Sequence, residues 1–272
     1  MPEVRFSAKN AAYGDIFDVP KPASMDIPDW YVSQEKYTHG ERGVNERGGF
    51  NQTVKSCSPV YDAITAGYLF YLPCDINVTL TPEQERVDAN MTSRSFEHLE
   101  FHPSSQISKW SFDKDYYEAG FVGKFLTGWV PRLPEGYSLM VMHPMWREEL
   151  PYTILPGIID YDSYASSINF FFLLKKSFEG ILRCGSPIGQ VIPFKREDWS
   201  HSIDSMSDHE YFVGFEKDRR FIENAYKNFM IFTGYPTMKN NIDAMQLVMR
   251  ANLWDRYGGW YDKSEQSDGN MY

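Results

Sequence analysis

Apolar residues between positions 98 and 196 come in short runs, among them "YSLMVM", "INFFFLL" and "IGQVIPF", each closed off by proline, glycine or lysine. Six or seven residues are too few for an ordinary core helix but fill a strand. Repeated at short intervals between turn residues, such runs predict a mainly β protein, a sandwich or barrel. "YSLMVM" and "INFFFLL" are almost unbroken, which predicts strands covered on both faces.

The flanks have other patterns. Residues 1–56 are polar and punctuated by Gly and Pro, and read as an extended N-terminal arm or cap. From residue 57 the chain turns apolar. "DAITAG" fits one or two helical turns, "YLFYLPCDINVTL" a strand pair broken near Pro73, and "TPEQERVDANMTSRS" a polar linker. The β core is therefore expected over 57–198. In the remainder, 199–272, Phe221, Ala225, Phe229 and Phe232 make one helical stripe, and "NIDAMQLVMRANLWDRYGG" forms a second amphipathic segment ending at Gly258. A linker and two C-terminal α-helices packed on the core are expected there.

Composition narrows the function classes. A 16% aromatic share favours strands over an Ala- and Leu-rich bundle. A formal charge of −10 argues against direct nucleic-acid binding, which relies on Lys and Arg against phosphates. Three cysteines without C-x-x-C spacing signal neither a zinc ribbon nor a disulfide framework. No apolar stretch approaches the roughly 20 residues of a membrane span, so a soluble, intracellular protein without a membrane partner is expected. Walker, dinucleotide-fold, serine-elbow and zincin motifs are all missing.

Two constellations can carry chemistry. In "GIIDYDSY", Asp160 and Asp162 stand at i and i+2 after an apolar run, so on an extended chain they point the same way. Such a pair can hold a divalent ion, or one acid can act as a base on water. Turn chemistry explains the same residues, because Asp side chains bond nearby backbone N–H groups. In "FEHLEFHP", His98, Glu100 and His102 share a strand face, and His143 could add a third imidazole for zinc or iron. Chance pairing of histidines is the competing explanation. The charged "KREDW" and "KDRR" runs read as solvated faces, and "DWSHSIDSMSDHEYF" as a solvated linker.

"GIIDxD" followed by "GSPIGQVI" resembles the third and fourth motifs of the dUTPase and dCTP deaminase superfamily, over roughly residues 128–196. That resemblance implies a β-clip fold, a trimeric homo-oligomer and magnesium-dependent nucleotide hydrolysis. It implies Asp160 as the acid that orients water, Gln190 near the phosphates, Gly185 opening their turn, and Asp162 and Tyr164 at the ligand. Tyr164 lies one step beyond the strict position, which Ser163 occupies. The phosphate-binding serine turn is replaced by "HPMWRE" at 143–148, and Leu69 stands where the first motif has an aspartate. "PDWY" at 28–31, "LPEGYSLMVMHP" and "GSPIGQVIPFKREDW" resemble a group of bacteriophage and bacterial proteins that brings no activity with it.

Two functions are expected from these features. One is a phage-type β-clip protein with a pocket around Asp160, Tyr164 and Gln190 that binds a small polar or nucleotide-like ligand with weak or no hydrolase activity. That pocket requires "INFFFLL" to pair with "IGQVIPF". The other is a non-enzymatic structural or assembly protein of a virion or infected cell, using arm and tail for subunit contacts.

Overall fold

The computed structural model describes residues 2–16, 18–38, 51–81, 86–91, 98–103, 106, 113, 115–118, 121–207, 209–214 and 216–217. The chain divides into two compact units, residues 1–40 with 52–198, and 41–51 with 199–272. Among the described residues of the first unit are fourteen strands and three short α-helices, and every strand pairing is antiparallel. The protein is mainly β.

The N-terminal segment is part of this fabric rather than a separate arm. It supplies β1 (Arg5–Ala8), α1 (Ala11–Ile16), β2 (Lys21–Pro22) and α2 (Asp29–Ser33). Next come α3 (Ser58–Thr65), β3 (Tyr68–Tyr71), β4 (Ile76–Thr81), β5 (Arg86–Met91), β6 (Leu99–Pro103), β7 (Phe121–Leu126) and β8 (Trp129–Arg132). The last six strands are β9 (Tyr137–Met142), β10 (Tyr152–Ile154), β11 (Gly157–Ile159), β12 (Asn169–Leu174), β13 (Gly180–Leu182) and β14 (Pro187–Lys195). They assemble as β11-β9-β14-β3-β2 and β10-β12-β7-β6, with two small sheets, β1-β8 and β13-β4-β5.

Alternation decides how the two large sheets meet. Phe170, Phe172 and Leu174 on β12 share a face with Phe125 on β7 and Tyr152 and Ile154 on β10, and all are fully buried. Each such side chain contributes about 1.5–3 kcal/mol by leaving water. Phe170 packs 5.2 Å from the ring of Phe70 on β3, and Tyr152 donates its hydroxyl to the carbonyl of Pro187 at 2.9 Å. The layers come this close because Gly189 has no side chain: a Cβ there would lie 2.2 Å from the Phe170 ring. Gly67, at φ +67°, makes the same kind of approach where the chain turns from α3 into β3, 2.0 Å from the Val191 carbonyl by its absent Cβ.

Several expectations change here. "INFFFLL" and "IGQVIPF" do not pair; β12 and β14 lie in different sheets stacked face to face. β9 and β12 are not covered on both faces, since Met140 and Phe171 point outward and are 37% and 43% exposed. β3 and β4, read as a pair, belong to different sheets, and the polar "linker" contains β5, paired along β4. The expected helices beyond residue 217 lie outside the described residues. Of the second unit, residues 199–207 have no regular structure, and a helical stretch begins at 209.

Candidate functional site

Asp160 and Asp162 do converge, but on an arginine. Asp160 follows β11, and the Ser138 hydroxyl on β9 donates to its Oδ1 at 2.6 Å. The Asp160 carbonyl accepts from the N–H groups of Ser163 and Tyr164 at 3.1 and 2.8 Å, which turns the chain and swings Asp162 back. Asp162 Oδ2 then accepts from the Gly136 N–H at 2.9 Å. Arg196, just beyond β14, reaches both carboxylates: it forms a two-pronged pair with Asp162 and lies 3.2 Å from Asp160 Oδ1. Its Nη1 also donates to the Tyr137 carbonyl and to Ser138 Oγ at 3.0 and 2.9 Å. The Arg196 hydrogen bond and the Gly136 N–H hold the Asp162 carboxyl down to about 2. Bidentate pairing of this kind is strong and directional. The donor set does not fit a magnesium ion, because a guanidinium already bridges the two carboxylates.

Gln190 is 1% exposed and fully engaged within the fold. Its Oε1 accepts from the Met145 N–H at 2.8 Å, and its Nε2 donates to the carbonyls of Ala63 and Ala66 at 3.1 and 2.7 Å. It ties the C-terminal end of α3 to β14 and to the turn after β9. Through Ser138, Asp160 is in register with Phe194, four positions along β14 from Gln190, or about 13 Å at strand rise. Tyr164 is 51% exposed and sets its ring edge-on to buried Tyr161 at 5.6 Å. Gly185 takes φ +82° in the turn before β14 and donates its N–H to Leu72. One chain therefore does not bring Asp160, Gln190 and Gly185 to a common pocket.

The three histidines also stay apart. His98 and His102 flank or belong to β6, at the edge of the four-stranded sheet, whereas His143 follows β9 in the five-stranded one. His143 Nδ1 accepts from the Ile154 N–H at 3.3 Å, so Nε2 carries the proton and donates to the Arg147 carbonyl at 3.2 Å. Burial lowers the pKa of His143 and of His98. His102 lies beside the Phe171 ring, 5.5 Å between centroids. Among the described residues no three His, Cys, Asp or Glu side chains are grouped to hold a metal ion. The expected zinc or iron site is not formed.

Elsewhere two distant tryptophan-bearing segments come together beside an open cleft. The "PDWY" and "HPMWRE" segments, over a hundred residues apart, meet: Trp30 Nε1 donates to the Trp146 carbonyl at 2.8 Å, and the two indoles lie 6.0 Å apart. Arg147 anchors the junction through Asp26, with Nη2 bonded to Oδ1 at 2.6 Å and to the carbonyl at 2.8 Å. Lys55 caps the end of α2, donating to the carbonyls of Tyr31 and Val32 at 2.5 and 3.1 Å. Trp146 is held at φ +62°, a left-handed conformation that costs a bulky residue about 1–3 kcal/mol and gathers at functional positions. Beside Trp30 an open cleft of about 570 Å³ is lined by Ser33, Gln34, Glu35, Tyr37, Thr38 and Thr53. The Tyr37–Gln52 bridge and the Thr53 N–H to Lys36 carbonyl bond, 3.0 Å, join the segment after α2 to the one before α3.

Sequence reasoning missed this cleft and Arg196. "PDWY" was the available signal for the first; nothing in "KREDW" distinguishes Arg196 from a solvated charge. No protein-family model matches the chain, and no curated protein matches it either.

Proposed function

We propose that the protein is a non-hydrolytic binding protein, a phage-type relative of the dUTPase β-clip group that takes a small polar or nucleotide-like ligand in the Trp30 cleft. The observation that carries this reading is Arg196 lying between Asp160 and Asp162. A carboxylate paired with a guanidinium is a weak base, and the positive charge occupies the place where a metal ion would have to bind. Gln190, the expected phosphate contact, has all three of its strong hydrogen bonds committed to backbone groups. The test is incubation of the full chain with dUTP and with dCTP in the presence of magnesium. No release of pyrophosphate, phosphate or ammonia above buffer is expected. Turnover abolished by Asp160→Asn would overturn the reading.

A second reading, self-assembly within a virion or infected cell, has one specific observation in its favour. On the outer face of the five-stranded sheet Ile158, Met140 and Ile192 stand side by side across β11, β9 and β14. Ile158 is 62% exposed on a strand that lies at the sheet's edge among the described residues. A stripe of this kind suits a second copy of the chain, in line with the homo-oligomer that the dUTPase resemblance implies. Both readings apply equally to a host cytoplasm or a virion. Among the described residues no helix is long and apolar enough to cross a membrane.

A further inference from the structure

We infer that His143 is an acid-sensitive catch on residues 143–151, the crossing between the two large sheets, and that its protonation frees this crossing and draws Trp146 away from Trp30. The crossing leaves β9 in the five-stranded sheet and enters β10 in the four-stranded one. His143 stands at its start and fastens it at two points. Nδ1 accepts the N–H of Ile154, the last residue of β10, at 3.3 Å, and Nε2 donates to the Arg147 carbonyl at 3.2 Å. The same carbonyl accepts the Leu150 N–H at 3.2 Å, so the imidazole completes a turn as well as joining two strands.

Only the neutral ring makes both bonds. An imidazolium carries a proton on each nitrogen, and a proton on Nδ1 would meet the Ile154 N–H head on. The ring therefore charges only by giving up that bond. Burial is the largest influence on it and lowers its pKa from the ordinary 6.5. The Arg147 carbonyl and the charges of Glu148 and Glu149, all on the crossing, act the other way, while Lys175, which follows β12, adds to the lowering. The remaining charges are tied to one another: Lys175 donates to the Glu148 carbonyl at 2.5 Å, and Arg147 is paired with Asp26 and lies 3.8 Å from Glu149. A ring whose pKa is lower in the closed form takes up protons on opening. The catch therefore holds above about pH 6.5 and is lost as pH falls below it. What it restrains is strained: Trp146 sits at φ +62° within the crossing, and its carbonyl accepts the Trp30 indole N–H at 2.8 Å. Removing a bond that holds such a backbone lets it relax, so protonation at His143 is read out at the tryptophan pair.

The test is an NMR titration of the full chain from about pH 7.5 to 4.5, above the range in which Asp162 titrates. It follows the His143 ring nitrogens, the Trp30 indole N–H and the signals of Leu139 in the core. His143 should be protonated on Nε2 at neutral pH and titrate below 6.5. The Trp30 indole signal should move with the same midpoint while Leu139 keeps its native position. His143→Asn places a non-titrating oxygen where Nδ1 accepts, and should flatten the Trp30 curve. His98, whose pKa burial also lowers, is untouched in that variant, so a Trp30 curve that survives overturns the inference. A proton on Nδ1 at neutral pH, a His143 midpoint at or above 6.5, separate midpoints for His143 and Trp30, or loss of the Leu139 signals together with that of Trp30 each overturn it too. Should His143→Asn fail to fold, the midpoints in the native chain decide alone.

Discussion

Arg196 shows how much one residue changes the meaning of two others. Without it, Asp160 and Asp162 form a bare acidic pair of the sort that holds a cation; with it, they become the acceptors of a latch across the ends of β9, β11 and β14. The pair itself was legible in the i, i+2 spacing of "GIIDYD". Its partner was not, because Arg196 lies 34 residues beyond Asp162 in a run whose charges look solvated. A pH dependence follows. The Asp162 carboxyl is depressed from its ordinary 3.8 to about 2, so its contribution to stability is present in full above about pH 4 and lost as pH falls towards 2. Melting temperature measured across that interval should fall for the native chain. The drop should be visibly shallower for Asp162→Asn, which has no carboxyl to protonate, and equal drops would show that the latch is not formed.

At the scale of elements, the apolar runs gave the existence of strands and not their partners. β9, β12, β13 and β14 all lie within runs recognisable by eye, since branched and aromatic residues between turn formers fit a pleated surface. Pairing was lost because a run of six apolar residues looks alike whether its neighbour lies beside it or across the core. Phe170 and Gly189 carry the missing information: a large ring and an absent side chain fit one another between layers. Gly189→Ala would drive a methyl group into the Phe170 ring and should destabilise the protein by about 1–3 kcal/mol, the usual cost of overpacking, read as a lower denaturation midpoint. An unchanged midpoint would mean that the two sheets are not packed at this point. The short strands β1 and β2 were invisible as periodicity, having four and two residues. A helix signal that passed unnoticed is "SDHE": the Ser207 hydroxyl and the Glu210 carboxylate bond at 2.7 Å, and the Ser207 N–H donates to that carboxylate at 2.9 Å. That is a reciprocal cap read from four residues.

For the whole molecule, the acidic and glutamine motifs that suggest nucleotide chemistry are absorbed into the fold, while the open cleft beside Trp30 is lined by Ser33, Gln34, Glu35, Tyr37, Thr38 and Thr53. The first fact is not available from local sequence, since it depends on the long-range contacts of Arg196 and Gln190. The exposed stripe on β11, β9 and β14 belongs to this scale too. If it joins copies of the chain, the native mass should be a multiple of the 31.7 kDa protomer, and Ile158→Lys should return it to the monomer. A monomeric native protein would remove the assembly reading. The central claim, that Asp160 and Asp162 serve the fold through Arg196, is tested most directly by a double-mutant cycle on global unfolding with Asp162→Asn and Arg196→Met. The latch predicts that the double variant loses clearly less stability than the two single losses added together, because each single change already breaks the same pair. Additive losses, with Asp162→Asn leaving the denaturation midpoint at its native value, would contradict it and return the two acids to the solvent, available for a cation or a substrate.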